Sequence, residues 1–160
     1  MIISNKLSFS EHIDDLLMRC SQSLLALRTL RFHGMPSSAI QTVYQATVIA
    51  KLSYAAPAWW GYTTAFDCEQ MEAFLRRSIR QGYHSATSKT LTDICSVADE
   101  RLFTKVTRDN SHLLHCLLPQ QRSKQYSLRT RSHNYQLPKK TSVNESNFIM
   151  RLLYKDSLYY

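Results

Sequence analysis

Between Phe9 and Leu30 the apolar residues recur in steps of three and four: Phe9, Ile13, Leu16, Leu17, Cys20, Leu24, Leu27 and Leu30. That spacing makes one stripe on a helix and none on a strand, so the chain opens with a long amphipathic α-helix. Ser8 and Glu11 stand in the relation of a capping box at its start, and Gly34 and Pro36 stop it. Ser37 and Ser38 offer caps for a second helix with Ile40, Val43, Tyr44, Val48 and Leu52 on its apolar face. It should end before Pro57, because the residue ahead of a proline avoids the helical region. The two segments make an antiparallel helical hairpin. Only three glycines and four prolines occur in 160 residues, so few sharp turns are available and an all-β fold is poorly supported. With 44% apolar residues the chain can bury a core, and the fold class is mainly α.

Further along, both tryptophans, Trp59 and Trp60, sit beside Gly61. Large rings there plug the end of a helical hairpin; base stacking is the other use for them. A third helix over 67–80 turns Met71, Phe74, Leu75 and Ile79 inward and Arg76, Arg77 and Arg80 outward, and Gly82 ends it. Its acidic start (Asp67, Glu69, Glu72) and basic end suit the helix dipole. A short helix over 91–97, capped by Thr90 or Thr92, precedes a longer one over 98–110 with Leu102, Phe103 and Val106 buried. Apolar texture continues through 112–118 to Pro119. Residues 119–142 are polar and basic, which predicts an extended arm wrapped on a surface. A C-terminal helix over 144–155 follows, with Phe148, Ile149 and Leu152 on one face and Ser142 and Glu145 at capping-box spacing.

Charge is unevenly distributed. Of a net +8, residues 1–110 hold 12 Lys/Arg against 10 Asp/Glu, and residues 111–160 hold 8 against 2. Clustered cations gain affinity for polyanions by releasing counterions condensed on phosphates. Cys20, Cys68, Cys95 and Cys116 are 48, 27 and 21 positions apart and form no C-x-x-C pair, so reduced thiols on helices are expected. Cys116, among leucines and without a base partner, reads as a buried inert thiol. His112 and His115 share a helix face, but a structural zinc site needs four ligands, and no second cluster lies near them in sequence. No metal or other cofactor is indicated. The N-terminus has too short an apolar run for a signal peptide or a membrane span, which predicts an intracellular protein without a membrane partner. No small-molecule ligand is indicated either.

Adjacent aspartates are how template-directed polymerases hold magnesium, but Asp14 and Asp15 lie in the first turns of a periodic helix, where the dipole alone favours acidic residues. No glycine-rich phosphate loop, nucleophile elbow or H-E-x-x-H helix occurs. The stretch 122–140 differs. It interleaves Arg122, Lys124, Arg129, Arg131, Lys139 and Lys140 with Tyr126, His133 and Tyr135, the cations and flat rings that engage single-stranded nucleic acid. The same alternation would let Tyr126, Leu128 and Tyr135 pin the arm to the domain. RNA or DNA, met through phosphates, is the partner this pattern points to.

Several of these pieces resemble a known family. Leu7-Ser8-Phe9 with His12-Ile13, Tyr54-Ala55-Ala56-Pro57-Ala58-Trp59-Trp60, and Leu75-Arg76-Arg77 with Ile79-Arg80 are similar to the region after the catalytic palm in reverse transcriptases of LINE-type (non-LTR, jockey-like) retrotransposons. In the second half the likeness continues through Arg101-Leu102-Phe103, Asn110 with His112-Leu113-Leu114, Leu117-Leu118-Pro119, Tyr126 with Leu128-Arg129, Arg131-Ser132-His133, Leu137-Pro138, and Asn147-Phe148 with Arg151-Leu152-Leu153-Tyr154. It covers about residues 3–156.

The resemblance implies a truncated fragment that begins inside its parent reading frame. Residues 1–7 would be a remnant of the palm edge within a thumb-like helical domain, 1–118, followed by the basic arm, 119–142, and a C-terminal segment, 143–160. The catalytic aspartates and the endonuclease would lie elsewhere, so the chain as it stands would not be an enzyme. Arg76, Arg77, Arg80 and the arm would contact phosphates, and the parent's palm would be a packing partner. Two readings from other classes stay open: a helical protein-interaction module whose basic tail docks an acidic partner, and a relic reading frame without selected function.

Overall fold

The computed structural model describes residues 1–5, 8–84, 90–121, 133–141 and 144–155. The chain is mainly α-helical, and no strand forms among the described residues. It divides into two compact units, Met1–Ser96 and Val97–Tyr160, with the division inside helix α6 and not at the compositional change after residue 118.

Helix α1 (Ser10–Phe32) is the spine of the first unit and packs against the next three helical segments and α5. Ile13, Leu16, Cys20 and Leu27 are buried along it, with Phe9 just ahead. Leu30, expected on the same face, is exposed. At 100° per residue it lies roughly 100° around from Ile13, and Arg31 takes the position on Ile13's line. The Ser8–Glu11 capping box does not form; Phe9 is the N-cap residue, its ring in the core 5.8 Å from that of Tyr62. At the far end Gly34 (φ +88°) closes the helix: its N–H reaches the Arg31 carbonyl at 3.0 Å, and that of Met35 reaches Leu30 at 3.1 Å.

The returning rod is α2 (Ser37–Tyr44), a π-helical turn (Gln45–Ile49), α3 (Ala50–Ser53) and α4 (Ala56–Trp59). Ser37 and Ser38 lie inside α2 and make no cap; Pro36 precedes it with its carbonyl accepting from Ile40 at 3.0 Å. Ile40, Tyr44, Val48 and Leu52 follow each other by four residues and are all at 0% exposure. On an ideal helix such a series drifts about 40° per step. The wider π turn lengthens the average turn toward four residues and keeps all four on one line. The rod breaks at Ala55, which is left-handed at φ 51°. Trp59, fully buried, donates its Nε1–H to the Tyr54 carbonyl at 3.2 Å, satisfying an acceptor that the end of α3 leaves open.

Helix α5 (Ala65–Arg80) starts two residues before the acidic position that sequence alone suggests. Thr64 caps it: its Oγ1 accepts from Asp67 N at 3.1 Å, while Asp67 Oδ2 accepts from Thr64 N at 2.9 Å. The same buried carboxylate oxygen accepts from Ser10 Oγ at 3.1 Å, which ties the start of α5 to the start of α1. Gly82 (φ +72°) ends α5, with Gly82 N bonded to Ile79 O at 2.8 Å and Tyr83 N to Ser78 O at 3.0 Å. Just beyond, His84 is buried beside Tyr44 and its Nδ1 lies 2.9 Å from Gln45 Nε2. Desolvation lowers its pKa from the ordinary 6.5.

One continuous helix, α6 (Leu91–Arg108), replaces the two expected over 91–110. Its inward line passes through Asp99, which reads as polar in the sequence yet is buried and paired with Arg151 at 2.9 Å. Thr90 caps α6, accepting from Asp93 N at 3.1 Å, and Glu72 Oε1 accepts from Leu91 N at 2.9 Å. In the second unit Phe103, Tyr135, Phe148, Leu152 and Leu153 form the core. α7 (Phe148–Tyr154) begins later than expected because Asn147 caps it, its side chain accepting from Ile149 N at 2.9 Å. The proposed Ser142–Glu145 box involves a residue outside the described ones. None of the helices among the described residues is long and apolar enough to cross a membrane.

Two outcomes follow for stability. Asp67→Ala leaves Ser10 and Thr64 without their acceptor and should lower the unfolding free energy by about 2–3 kcal/mol, read from urea midpoints. The neutral form of His84 is favoured in the fold, so its contribution is complete above pH 6.5 and is lost as pH falls through the lowered value. The urea midpoint should therefore drop on acidification from neutral pH, and His84→Gln should flatten that drop.

Candidate nucleic-acid interface

Helices α1 and α5 run in the same direction, joined at one end by Ser10 and Asp67 and at the other by Arg31 Nη1, which donates to the Gln81 carbonyl at 2.7 Å. Between them lies an open groove. One part, about 690 Å³, is lined by Leu24, Leu25 and Phe74 together with Arg28, Arg31 and Arg77. Another, about 490 Å³, is lined by Leu17, Gln70 and Ala73 with Arg76, Arg77 and Arg80. The α1 wall follows steps of three and four from Leu17 through Ser21, Leu24 and Arg28 to Arg31, the spacing of one helix face.

The three arginines expected from α5 are thus brought together, and α1 adds two that sequence reasoning missed. None of the five makes an ion pair among the described residues. Four of them, Arg28, Arg76, Arg77 and Arg80, are exposed, whereas Arg31 is half-buried. Five guanidinium groups along one groove, without an ion-pair partner among the described residues, concentrate positive potential there, which a phosphate backbone would relieve. The missed pair carried a readable signal: Arg28 and Arg31 continue the row begun by Leu17 and Leu24. That row was hidden because α1 is apolar on more than one side, with Met18, Leu25 and Phe32 exposed.

The basic arm is only partly visible. Arg122, Lys124, Tyr126, Arg129 and Arg131 lie outside the described residues. Within it Gln121 and Tyr135 form an antiparallel bridge, and Gln136 N donates to Gln120 O at 2.9 Å. Gln121 and Tyr135 thus lie side by side, and the course of the chain between them falls outside the described residues. Tyr135 is 7% exposed and sits in the core of its unit, so its ring offers no face to a base. His133 is held at both nitrogens, Nδ1 by Tyr135 N at 3.2 Å and Nε2 by the Leu153 carbonyl at 3.0 Å. Lys140 lies over the Tyr154 ring at 4.5 Å and 3.8 Å from Glu145. Lys139 is exposed.

The remaining chemical candidates resolve into local structure. Asp14 is exposed and Asp15 pairs with Arg19 at 2.9 Å, one turn along α1. Successive helix positions point in different directions, so the two carboxylates do not converge. His112 Nδ1 accepts from Leu114 N at 3.1 Å, and His115 Nδ1 lies 2.9 Å from the Val106 carbonyl. Among the described residues no group of three His, Cys, Asp or Glu side chains could hold a metal. Cys116, expected to be buried, is exposed: 112–118 forms turns and a 3₁₀ turn (His115–Leu117) that direct Leu114 and Leu118 inward and Cys116 out. Cys20 and Cys95 are the buried thiols, and desolvation pushes the Cys20 pKa up to about 11. Trp59 packs edge-on to His12 and Trp60 and has no exposed face.

Comparison of the chain with protein-family models, curated proteins and solved structures gives no match. The placement of Tyr135 has a direct consequence. Tyr135→Ala should destabilise the second unit by about 3 kcal/mol, as for other buried aromatic truncations, while leaving the apparent affinity per folded molecule for nucleic acid unchanged. Denaturation and binding measured on the same preparation check both halves.

Proposed function

We propose that the chain is a thumb-like, nucleic-acid-binding helical module of the LINE-type retrotransposon reverse transcriptase kind, without polymerase chemistry of its own. The observation that carries this reading is the groove between α1 and α5, where Arg28, Arg31, Arg76, Arg77 and Arg80 gather without ion-pair partners among the described residues. The order of sequence motifs along residues 3–156 supports the family. Arginine is suited to the task because its planar fork donates to two phosphate oxygens at once. The contacts would be to the backbone, which carries no sequence information, so binding would be general.

Fluorescence anisotropy with labelled single-stranded RNA at increasing salt tests the reading. Engagement of about four phosphates gives a log–log slope of about −3, and Arg76→Gln with Arg77→Gln and Arg80→Gln should bring it to about −1. No binding at low salt, with binding of an acidic peptide instead, would make the groove a protein-interaction surface and overturn the proposal. Extension of a primed template by the purified chain would overturn its non-catalytic part.

A further inference from the structure

The five arginines of the groove are not equivalent. Arg28, Arg76, Arg77 and Arg80 are exposed, with long side chains that must be ordered before they hold a phosphate. Arg31 is already ordered. Its Nη1 donates to the Gln81 carbonyl at 2.7 Å, and its guanidinium carbon lies 4.0 Å above the centroid of the Tyr83 ring. Tyr83 is itself fixed: it is buried, lies parallel to Tyr44 (6.5 Å between centroids, 15° between planes), and its N–H closes the end of α5 on Ser78 O at 3.0 Å. The clamp leaves the Arg31 Nε–H buried without a partner among the described residues, a cost of about 1–3 kcal/mol that the charge-assisted bond and the ring face offset.

Arg28 precedes Arg31 by three residues on the same face of α1, and Arg77 faces both from α5 along the same part of the groove. A cation held in place loses little entropy when an anion arrives, and two mobile cations beside it can close on the same anion. From this geometry we infer that Arg31, with Arg28 and Arg77, forms a pre-organised seat for one backbone phosphodiester, and that the Tyr83 ring and the Gln81 carbonyl are what make it so. The inference rests on the nucleic-acid reading of the groove. It adds that one position dominates affinity and that its dominance comes from fixed geometry, beyond charge alone.

Four proteins, each measured by anisotropy on the full chain against the same labelled RNA and normalised to the folded fraction, test it. Arg31→Lys keeps the charge but loses the planar fork, and should weaken binding about tenfold with an unchanged salt slope. Arg28→Lys, a mobile cation for a mobile cation, should stay within about twofold. Tyr83→Leu keeps the apolar bulk and the Arg31 charge while removing the ring face, and should weaken binding about fivefold. Equal effects of Arg31→Lys and Arg28→Lys, or wild-type affinity in both Arg31→Lys and Tyr83→Leu, would overturn the seat while the groove reading stands. A wild-type chain that binds no RNA at low salt removes the groove reading, and the seat with it.

Discussion

A single buried carboxylate sets the geometry of the first unit. Asp67 Oδ2 accepts from the Ser10 hydroxyl of α1, from the Thr64 N–H at the cap of α5, and from the Thr64 hydroxyl at 2.8 Å. A carboxylate out of water is tolerated only where its acceptor positions are filled, so these donors must converge on it. Their convergence fixes where α5 begins relative to α1. The rod of α2 to α4 runs back along α1, so that Trp59 meets His12 and Lys51 meets Ser23. α5 then runs parallel to α1, and the groove is the space left along that parallel pair.

The core and the groove draw on adjacent strips of α1. Ile13, Cys20 and Leu27 bury against neighbouring helices, each large apolar side chain contributing about 1.5–3 kcal/mol, and this burial holds the helix in place. The neighbouring strip carries exposed Leu25 and the arginines, whose mutual repulsion is weakened by water and salt because most of them are exposed. Arg31 joins the two strips. It lies on the line of the buried residues yet points its charge to the groove wall, with the C-terminal carbonyls of α5 giving it a favourable end of the helix dipole.

The second unit solves a related problem with different residues. Asp99 is buried, which raises its pKa, and Arg151 at 2.9 Å opposes part of that rise. Removing Arg151 would take away the largest charge that opposes this rise. The aromatic residues Phe103, Tyr135 and Phe148 pack together in the core of this unit, and Tyr135 and Gln136 lie against Gln121 and Gln120. Tyr135, expected from its basic stretch to face nucleic acid, is buried in this core, and His133 is hydrogen-bonded to Tyr135 N and to the Leu153 carbonyl.

The sequence alone determined the mainly helical class, the hairpin of the first two helices, the inward face of α5 and its arginine-bearing outer face, and both glycine stops. These depend on contacts within a few residues, and Gly34 and Gly82 sit where a left-handed conformation is needed locally. Tertiary structure decided everything that required a distant partner. Asp99, on the inward line of α6, is buried against Arg151; Phe9 is drawn into the core and displaces the Ser8–Glu11 cap; Cys116 is turned outward by neighbours that bury. The groove itself was invisible along the chain because its walls are 40 or more residues apart in sequence, and only the parallel packing of α1 and α5 makes Arg28 and Arg31 neighbours of Arg77.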